Sequence, residues 1–105
     1  MLAVGLSSCV YLWQANTSQV TKLCDLGLSD HITAVNWAQK KDLIGIGTFS
    51  GDVQIWDTAS EKLIRTLKGH QGRVGSLAWK GSTICSGSRD KSIMMRDLRL
   101  NNSIV

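Results

Sequence analysis

No proline occurs in these 105 residues, and none of the three cysteines stands in a C-x-x-C pair. The missing proline is unusual for a loop-rich chain but excludes no function. Cys9, Cys24 and Cys85 are odd in number and have no paired histidine nearby, so neither a disulfide framework nor a zinc site has support. They read as small, mostly buried thiols of a reducing compartment, cytosol or nucleus. An apolar run of about 18 residues, the length that spans a bilayer as a helix, is also lacking, so no membrane partner is expected. The opening Met1-Leu-Ala-Val-Gly-Leu6 is apolar, but it has no basic leader and breaks at Ser7 and Ser8. It reads as a strand rather than a signal peptide. His31 and His70 stand alone as metal ligands and the carboxylates are scattered singly, so no cofactor is implied.

What is present fits a globular chain: 43% of residues are hydrophobic, enough for a core with a narrow margin at this size. The net charge of +4 is unevenly spread. Up to Glu61 three basic residues (Lys22, Lys40, Lys41) face six acidic ones, whereas from Lys62 onward nine basic residues face Asp90 and Asp97. A basic half can attract nucleic acid or acidic peptide. Its charges are spaced singly, without a run of one sign, so a solvated rim is the simpler reading and nucleic acid is not an expected partner.

Self-similarity organises the chain. Ile32-Thr-Ala-Val-Asn-Trp37 aligns with Val74-Gly-Ser-Leu-Ala-Trp79 at an offset of 42. Gly47-Thr-Phe-Ser-Gly-Asp-Val-Gln-Ile-Trp-Asp57 aligns with Gly87-Ser-Arg-Asp-Lys-Ser-Ile-Met-Met-Arg-Asp97 at 40, and Val10-Tyr-Leu-Trp13 with Val53-Gln-Ile-Trp56 at 43. Partial copies at this spacing match the period of a β-propeller blade, and their short Val-, Ile-, Thr- and Trp-rich segments have strand chemistry.

The middle copy predicts four strands, near Ile32–Ala38, Leu43–Thr48, Val53–Thr58 and Lys62–Leu67. The second is continuously apolar or small, as a strand covered on both faces should be, and the fourth alternates as an outer, half-wet strand. The fold class expected is therefore all-β, a propeller fragment of about two and a half four-stranded antiparallel blades. Residues 1–28 form a partial blade without its innermost strand, 29–69 a complete blade, and 70–105 a blade with an incomplete last strand. Propellers hide blade faces by closing into a ring, so such a stack alone is expected to be marginal or aggregation-prone. The tryptophans at positions 13, 37, 56 and 79 recur at repeat positions, which points to core packing rather than base stacking.

His70, Ser86 or Ser88, and Asp90 carry the residue types of an acyl-transfer triad. The strand-to-helix elbow that exposes a nucleophile is missing, and Gly45-x-Gly47 leads into a hairpin rather than a helix, which removes a phosphate cradle. The arrangement resembles the WD40 repeat. There, His70 before the first strand, Ser86 on the second and Asp90 in the hairpin would form a structural hydrogen-bonded network ending on a third-strand tryptophan. This chain departs from that pattern. Arg96 takes the tryptophan position of the His-bearing copy, while the middle copy keeps Trp56 but places Ile46 and Ser50 where Ser86 and Asp90 would align. No enzyme is expected.

Particular segments narrow the likeness. Leu2-Ala-Val-Gly-Leu6, Val10-Tyr-Leu-Trp13 and Thr17-Ser-Gln-Val-Thr-Lys-Leu-Cys-Asp25 resemble the fizzy-related family, activators of the anaphase-promoting complex, a ubiquitin ligase. Arg73-Val-Gly-Ser-Leu-Ala-Trp79, Ser86-Gly-Ser-Arg-Asp90 and Arg96-Asp-Leu-Arg99 agree with it. The resemblance implies a seven-bladed substrate-recognition propeller that captures degron peptides in cell-cycle control, in the nucleus and cytoplasm. Its partners would be subunits of the anaphase-promoting complex and degron-bearing proteins. The family's C-box would lie upstream and its Ile-Arg tail downstream, so the 105 residues alone are expected neither to dock on the ligase nor to activate it. What they would retain is part of a peptide-binding rim, on loops holding Asp30, His31, Phe49, Ser50, Arg73, Arg89 and Lys91. A generic WD40 scaffold outside the ubiquitin system is the alternative, separated by whether a C-box accompanies these repeats.

Overall fold

A computed structural model describes residues 2–14, 19–27, 30–38 and 43–97. All regular structure among the described residues is strand, in three antiparallel meanders that follow one another along the chain. The first sheet is β1 (Leu2–Leu6), β2 (Cys9–Gln14) and β3 (Gln19–Asp25). The second is β4 (Ile32–Trp37), β5 (Leu43–Thr48), β6 (Val53–Asp57) and β7 (Lys62–Leu67). The third is β8 (Val74–Lys80), β9 (Thr83–Ser88) and β10 (Ile93–Asp97). Within each sheet consecutive strands pair antiparallel, an order that short connections permit and parallel pairing does not. These are the successive propeller blades that the repeat of about forty residues predicts.

The blades stack face to face over two apolar layers. Val10, Leu12, Leu23 and Cys24 of the first sheet meet Ile44 and Ile46 of the second, with Trp37 and Trp56 packed at the margin. Val53, Ile55 and Leu67, on the opposite face of the second sheet, meet Val74, Leu77, Trp79 and Ile84 of the third. The middle sheet is thus covered on both faces, and β5 is buried from Ile44 to Thr48.

Close approach at these interfaces needs small residues on the inner strands. A Cβ on Gly5 would lie 2.8 Å from Ile32 Cγ2, and one on Gly47 would lie 2.7 Å from Val74 Cγ1. Both glycines and both partners are separated by 42 positions, so β1 stands to β4 as β5 stands to β8. The bulge repeats as well. Thr33 and Gly75, again 42 apart, are skipped in the registers of β4 with β5 and of β8 with β9. Released from the ladder, the Thr33 hydroxyl donates to the Val74 carbonyl at 2.6 Å. Asn36 Nδ2 donates to the Leu77 carbonyl at 2.6 Å, and Trp79 Nε1 returns a bond to the Asn36 carbonyl at 3.1 Å.

Two sequence expectations need correction. β7 does not alternate: only Leu67 is buried, while Leu63 and Ile64 are exposed. The register with β6 skips Ile64, which breaks the two-residue period, and no described strand pairs with the outer edge of β7. The tryptophans also differ from one another. Trp79 is buried and Trp37 and Trp56 are half-buried, but Trp13 is 39% exposed because its side of β2 faces away from the second sheet. The connection between the first two strands of the middle copy, residues 39–42, and the incomplete last strand after Asp97 lie outside the described residues.

Candidate functional site

The loops before β4 and β8 and the hairpins β5–β6 and β9–β10 gather at one end of the sheets. Phe49 N–H donates to the His31 carbonyl at 2.9 Å, and Arg89 N–H donates to the Arg73 carbonyl at 3.0 Å, tying each entry loop to its own hairpin. The two blades meet at Gly51, whose φ of 102° suits glycine and where a Cβ would lie 2.5 Å from the His70 carbonyl oxygen.

Behind this face in the third blade lies a buried polar chain. His70 Nε2 is 2.8 Å from Ser86 Oγ, and Nδ1 is 2.8 Å from Ser92 Oγ. Ser92 Oγ donates onward to Asp90 Oδ1. A hydroxyl has one proton, and Ser92 gives its own to the carboxylate, so Nδ1 must be the donor to Ser92. Nε2 pairs with the Ser86 hydroxyl, and from Nδ1 donation runs through Ser92 to Asp90. The imidazole reaches the carboxylate through Ser92 rather than directly, Nδ1 being 3.7 Å from Asp90 Oδ2. Gln71 N–H adds a bond to Oδ2 at 2.7 Å and Ser92 N–H one to Oδ1 at 2.8 Å. The Ser92 hydroxyl, followed by the Gln71 N–H, holds the Asp90 carboxyl well below the usual carboxylate range.

The pattern's final position is altered. Arg96, buried where the WD40 pattern has tryptophan, donates from Nη2 to the Lys68 carbonyl and lies 2.9 Å from Met94 Sδ. Its Nε is buried without a partner, and burial lowers the guanidinium pKa. Ser86 therefore ends on the imidazole, and its hydroxyl is sealed inside the blade.

The middle blade builds the same brace with the charges exchanged. Asp30 sits on the entry loop 40 positions before His70, and Ser50 sits in the hairpin 40 before Asp90. Ser50 Oγ donates to Asp30 Oδ2 at 2.6 Å, and the N–H groups of His31 and Ser50 donate to Oδ1 at 2.9 and 3.1 Å. Burial pushes the Asp30 carboxyl upward, but the Ser50 hydroxyl and these N–H groups outweigh it and leave it lowered. Thr48, fully buried, is 3.1 Å from Ser50 Oγ and accepts from Asp52 N–H at 3.0 Å.

Of the residues singled out for the rim, Asp30 and Ser50 are thus engaged with each other. His31 and Phe49 stay exposed and meet edge to face, ring centroids 6.4 Å apart. Arg73, Arg89 and Lys91 line one open cavity of about 480 Å³ on the third blade. Sequence reasoning missed Ser92, Gln71 and Thr48. Ser92 stands two residues after Asp90, the spacing of an Asx-turn donor, which was the available signal. All three cysteines are unpaired; Cys9 and Cys85 are half-buried, and burial pushes the Cys24 thiol up to about 11, disfavouring its thiolate. Among the described residues no group of His, Cys, Asp and Glu could hold a metal, and no helix is long and apolar enough to cross a membrane.

Residues 61–97 match the WD domain, G-beta repeat family. Over 99 residues the chain is 58% identical to Protein FIZZY-RELATED 1 of Arabidopsis thaliana, covering 94% of this chain and 21% of that protein. It is 53% identical to the B-type cell cycle switch protein ccs52A of Medicago truncatula, over 100% of this chain and 22% of the relative. Anaphase-promoting complex subunit cdh1 of Dictyostelium discoideum is 45% identical over 94% of this chain and 13% of its own length. A chain in the crystal structure of a mitotic checkpoint complex superimposes with a TM-score of 0.93 at 36% identity, over 96% of this chain and 31% of that one. The chain thus spans about a fifth of the length of the first two relatives. With its blades, their repeated interfaces and this similarity together, the chain is a stretch of WD40 β-propeller homologous to the fizzy-related proteins.

Proposed function

We propose that these blades serve the substrate-recognition propeller of an activator of the anaphase-promoting complex. The propeller would act as a non-catalytic adaptor that holds degron peptides while the ligase ubiquitinates the protein bearing them. The partners would be subunits of that complex and degron-bearing substrates, and the sites of action the nucleus and cytoplasm. The observation that carries the reading is the 58% identity along 94% of the chain to a fizzy-related protein, joined to relatives named for the cell cycle and for the anaphase-promoting complex. The loop face supports it: His31, Phe49, Arg73, Arg89 and Lys91 project from braced loops, polar side chains beside an apolar anchor, which suits an extended peptide. The sealed Ser86 hydroxyl supports an adaptor over a hydrolase, because no substrate carbonyl could reach it.

The test is made in the full-length protein. Replacing His31 and Arg73 together by alanine should weaken binding of a labelled degron peptide by about 10-fold, the weight of ~1.4 kcal/mol. Unchanged affinity in a variant with native circular dichroism overturns the assignment of this face. In a ubiquitination assay with purified ligase, Ser86→Ala should still support substrate conversion once its fold is verified. Loss of conversion by a folded Ser86→Ala protein would turn the reading toward catalysis. Fluorescent tagging reads the location; exclusion from both nucleus and cytoplasm rejects that part.

A further inference from the structure

Asp30 and Ser50 lie on the loop face of the middle blade, yet they spend their polar groups on each other. Asp30 Oδ1 accepts the N–H groups of His31 and Ser50 at 2.9 and 3.1 Å, and Oδ2 accepts the Ser50 hydroxyl at 2.6 Å. A carboxylate offers about four acceptor sites, so little of this one is left for a ligand. The bonds flank both exposed rings. One fixes the main chain of His31, the other two fix the residue after Phe49, and Phe49 N–H closes the circuit on the His31 carbonyl at 2.9 Å. The hairpin tip is held from its other side as well, because Gly51 is seated against the His70 and Gly72 carbonyls of the third blade. The middle blade is covered on both faces, so this arrangement does not depend on what packs against the outer face of the first or third sheet. In the third blade the carboxylate is on the hairpin, where Asp90 receives Gln71 N–H from the entry loop. In the middle blade it stands on the entry loop itself, next to an exposed ring.

We propose that Asp30 is a positioning residue of the peptide-binding face, acting on the ligand through His31 and Phe49 and making no contact of its own. The inference rests on the reading of this face as a peptide-binding surface and adds what sets the geometry of its apolar anchor. The ring centroids stand 6.4 Å apart at 79° on a main chain that Asp30 ties on both sides. Rings already held in their binding geometry have less freedom to lose when a peptide docks. Without the carboxylate, the direct tie between the two loops falls to the Phe49 to His31 main-chain bond among the described residues. The competent pair is then a fraction of the population, and the apparent affinity falls by that fraction. Asparagine preserves the arrangement. Its amide oxygen takes the two N–H bonds, and its amide nitrogen donates to the Ser50 hydroxyl where the carboxylate accepts from it.

The test follows association and dissociation of a fluorescein-labelled degron peptide with the full-length protein by stopped-flow anisotropy, in variants whose fold is verified by circular dichroism. Asp30→Ala should weaken binding about 5-fold through slower association at a nearly unchanged dissociation rate, as loss of a competent fraction does. A lost contact would instead speed dissociation. Asp30→Asn should stay within about 2-fold of the unsubstituted protein, since it keeps the same ties. In a His31→Ala, Phe49→Ala background Asp30→Ala should have no further effect, the coupling of residues that act through one another. Ser50→Ala removes the hydroxyl tie alone, should slow association to a smaller degree, and carries the test if Asp30→Ala does not fold. Faster dissociation in either alanine variant, an equal loss in Asp30→Asn, or an undiminished effect of Asp30→Ala in the His31→Ala, Phe49→Ala background overturns the proposal. A lowered urea midpoint with unchanged affinity does so too, because it reduces Asp30 to a structural residue. A peptide indifferent to the His31→Ala, Phe49→Ala pair rejects the peptide-binding face itself, whereas one that responds to the pair and not to Asp30→Ala rejects the positioning role alone.

Discussion

At the scale of single residues, His70 decides how the third blade's entry loop is held. Its two ring nitrogens hold different hydroxyls, Nδ1 donating to Ser92 and Nε2 pairing with Ser86. His70→Ala should strand the buried Ser86 hydroxyl, while Ser92 keeps its bond to Asp90, and cost about 1–3 kcal/mol, read as a lowered urea midpoint. Asp90 adds a pH dependence of known sign. Its carboxyl pKa is depressed in the fold, so its contribution is complete above the unfolded value near ~3.9 and is lost as pH falls through the folded value. Urea midpoints measured from pH 6 down to pH 2.5 should fall at the acid end, and Asp90→Asn should flatten that fall. An unchanged acid slope in Asp90→Asn means that other carboxylates carry it. The residue types of this brace were legible in the sequence, but the route through Ser92 was not. That route depends on the β9–β10 hairpin folding its hydroxyl between imidazole and carboxylate, which a repeat alignment does not encode.

Between elements, the stacking of blades rests on one repeated fit. β8 reaches β5 because Gly47 leaves room for Val74, as Gly5 leaves room for Ile32. Gly47→Ala places a methyl within 2.7 Å of Val74 Cγ1 and should cost about 1–3 kcal/mol through overpacking. Val74→Ala in the same chain should recover part of that loss, giving a coupling in a double-mutant cycle that independent sites would not show. Asn36→Ala should cost about 1 kcal/mol by removing the donor to the Leu77 carbonyl, while Trp79 keeps its bond because it uses the Asn36 main chain. Strand identity was readable from β-branched composition and the repeat of about forty residues. The exposure of β7 was not, since the skipped Ile64 shifts its side-chain phase.

For the whole molecule, the same repeat position has opposite fates in different blades. Val53 and Ile55 on β6 are 1% and 0% exposed, whereas Ile93 and Met95, 40 residues later on β10, are 71% and 57% exposed. The middle blade has a neighbour on that face; among the described residues the third has none. Ile93→Lys with Met95→Lys should therefore leave the fold intact and reduce self-association in light scattering, whereas Val53→Lys should unfold the chain. Light scattering that is unchanged by the β10 pair would show that this face does not drive association.

The sequence by itself determined that the chain is built of β-strands in propeller blades and which family it resembles. Both follow from local patterns, alternation of side chains along a strand and spacing of similar segments, that need no neighbour to be read. Tertiary structure alone decided which tryptophans are covered and how His70 reaches Asp90 through Ser92. Those properties arise from surfaces brought together by packing. Asp90 is engaged inside its hairpin because a carboxylate two residues before Ser92 can turn inward to that residue's N–H and hydroxyl.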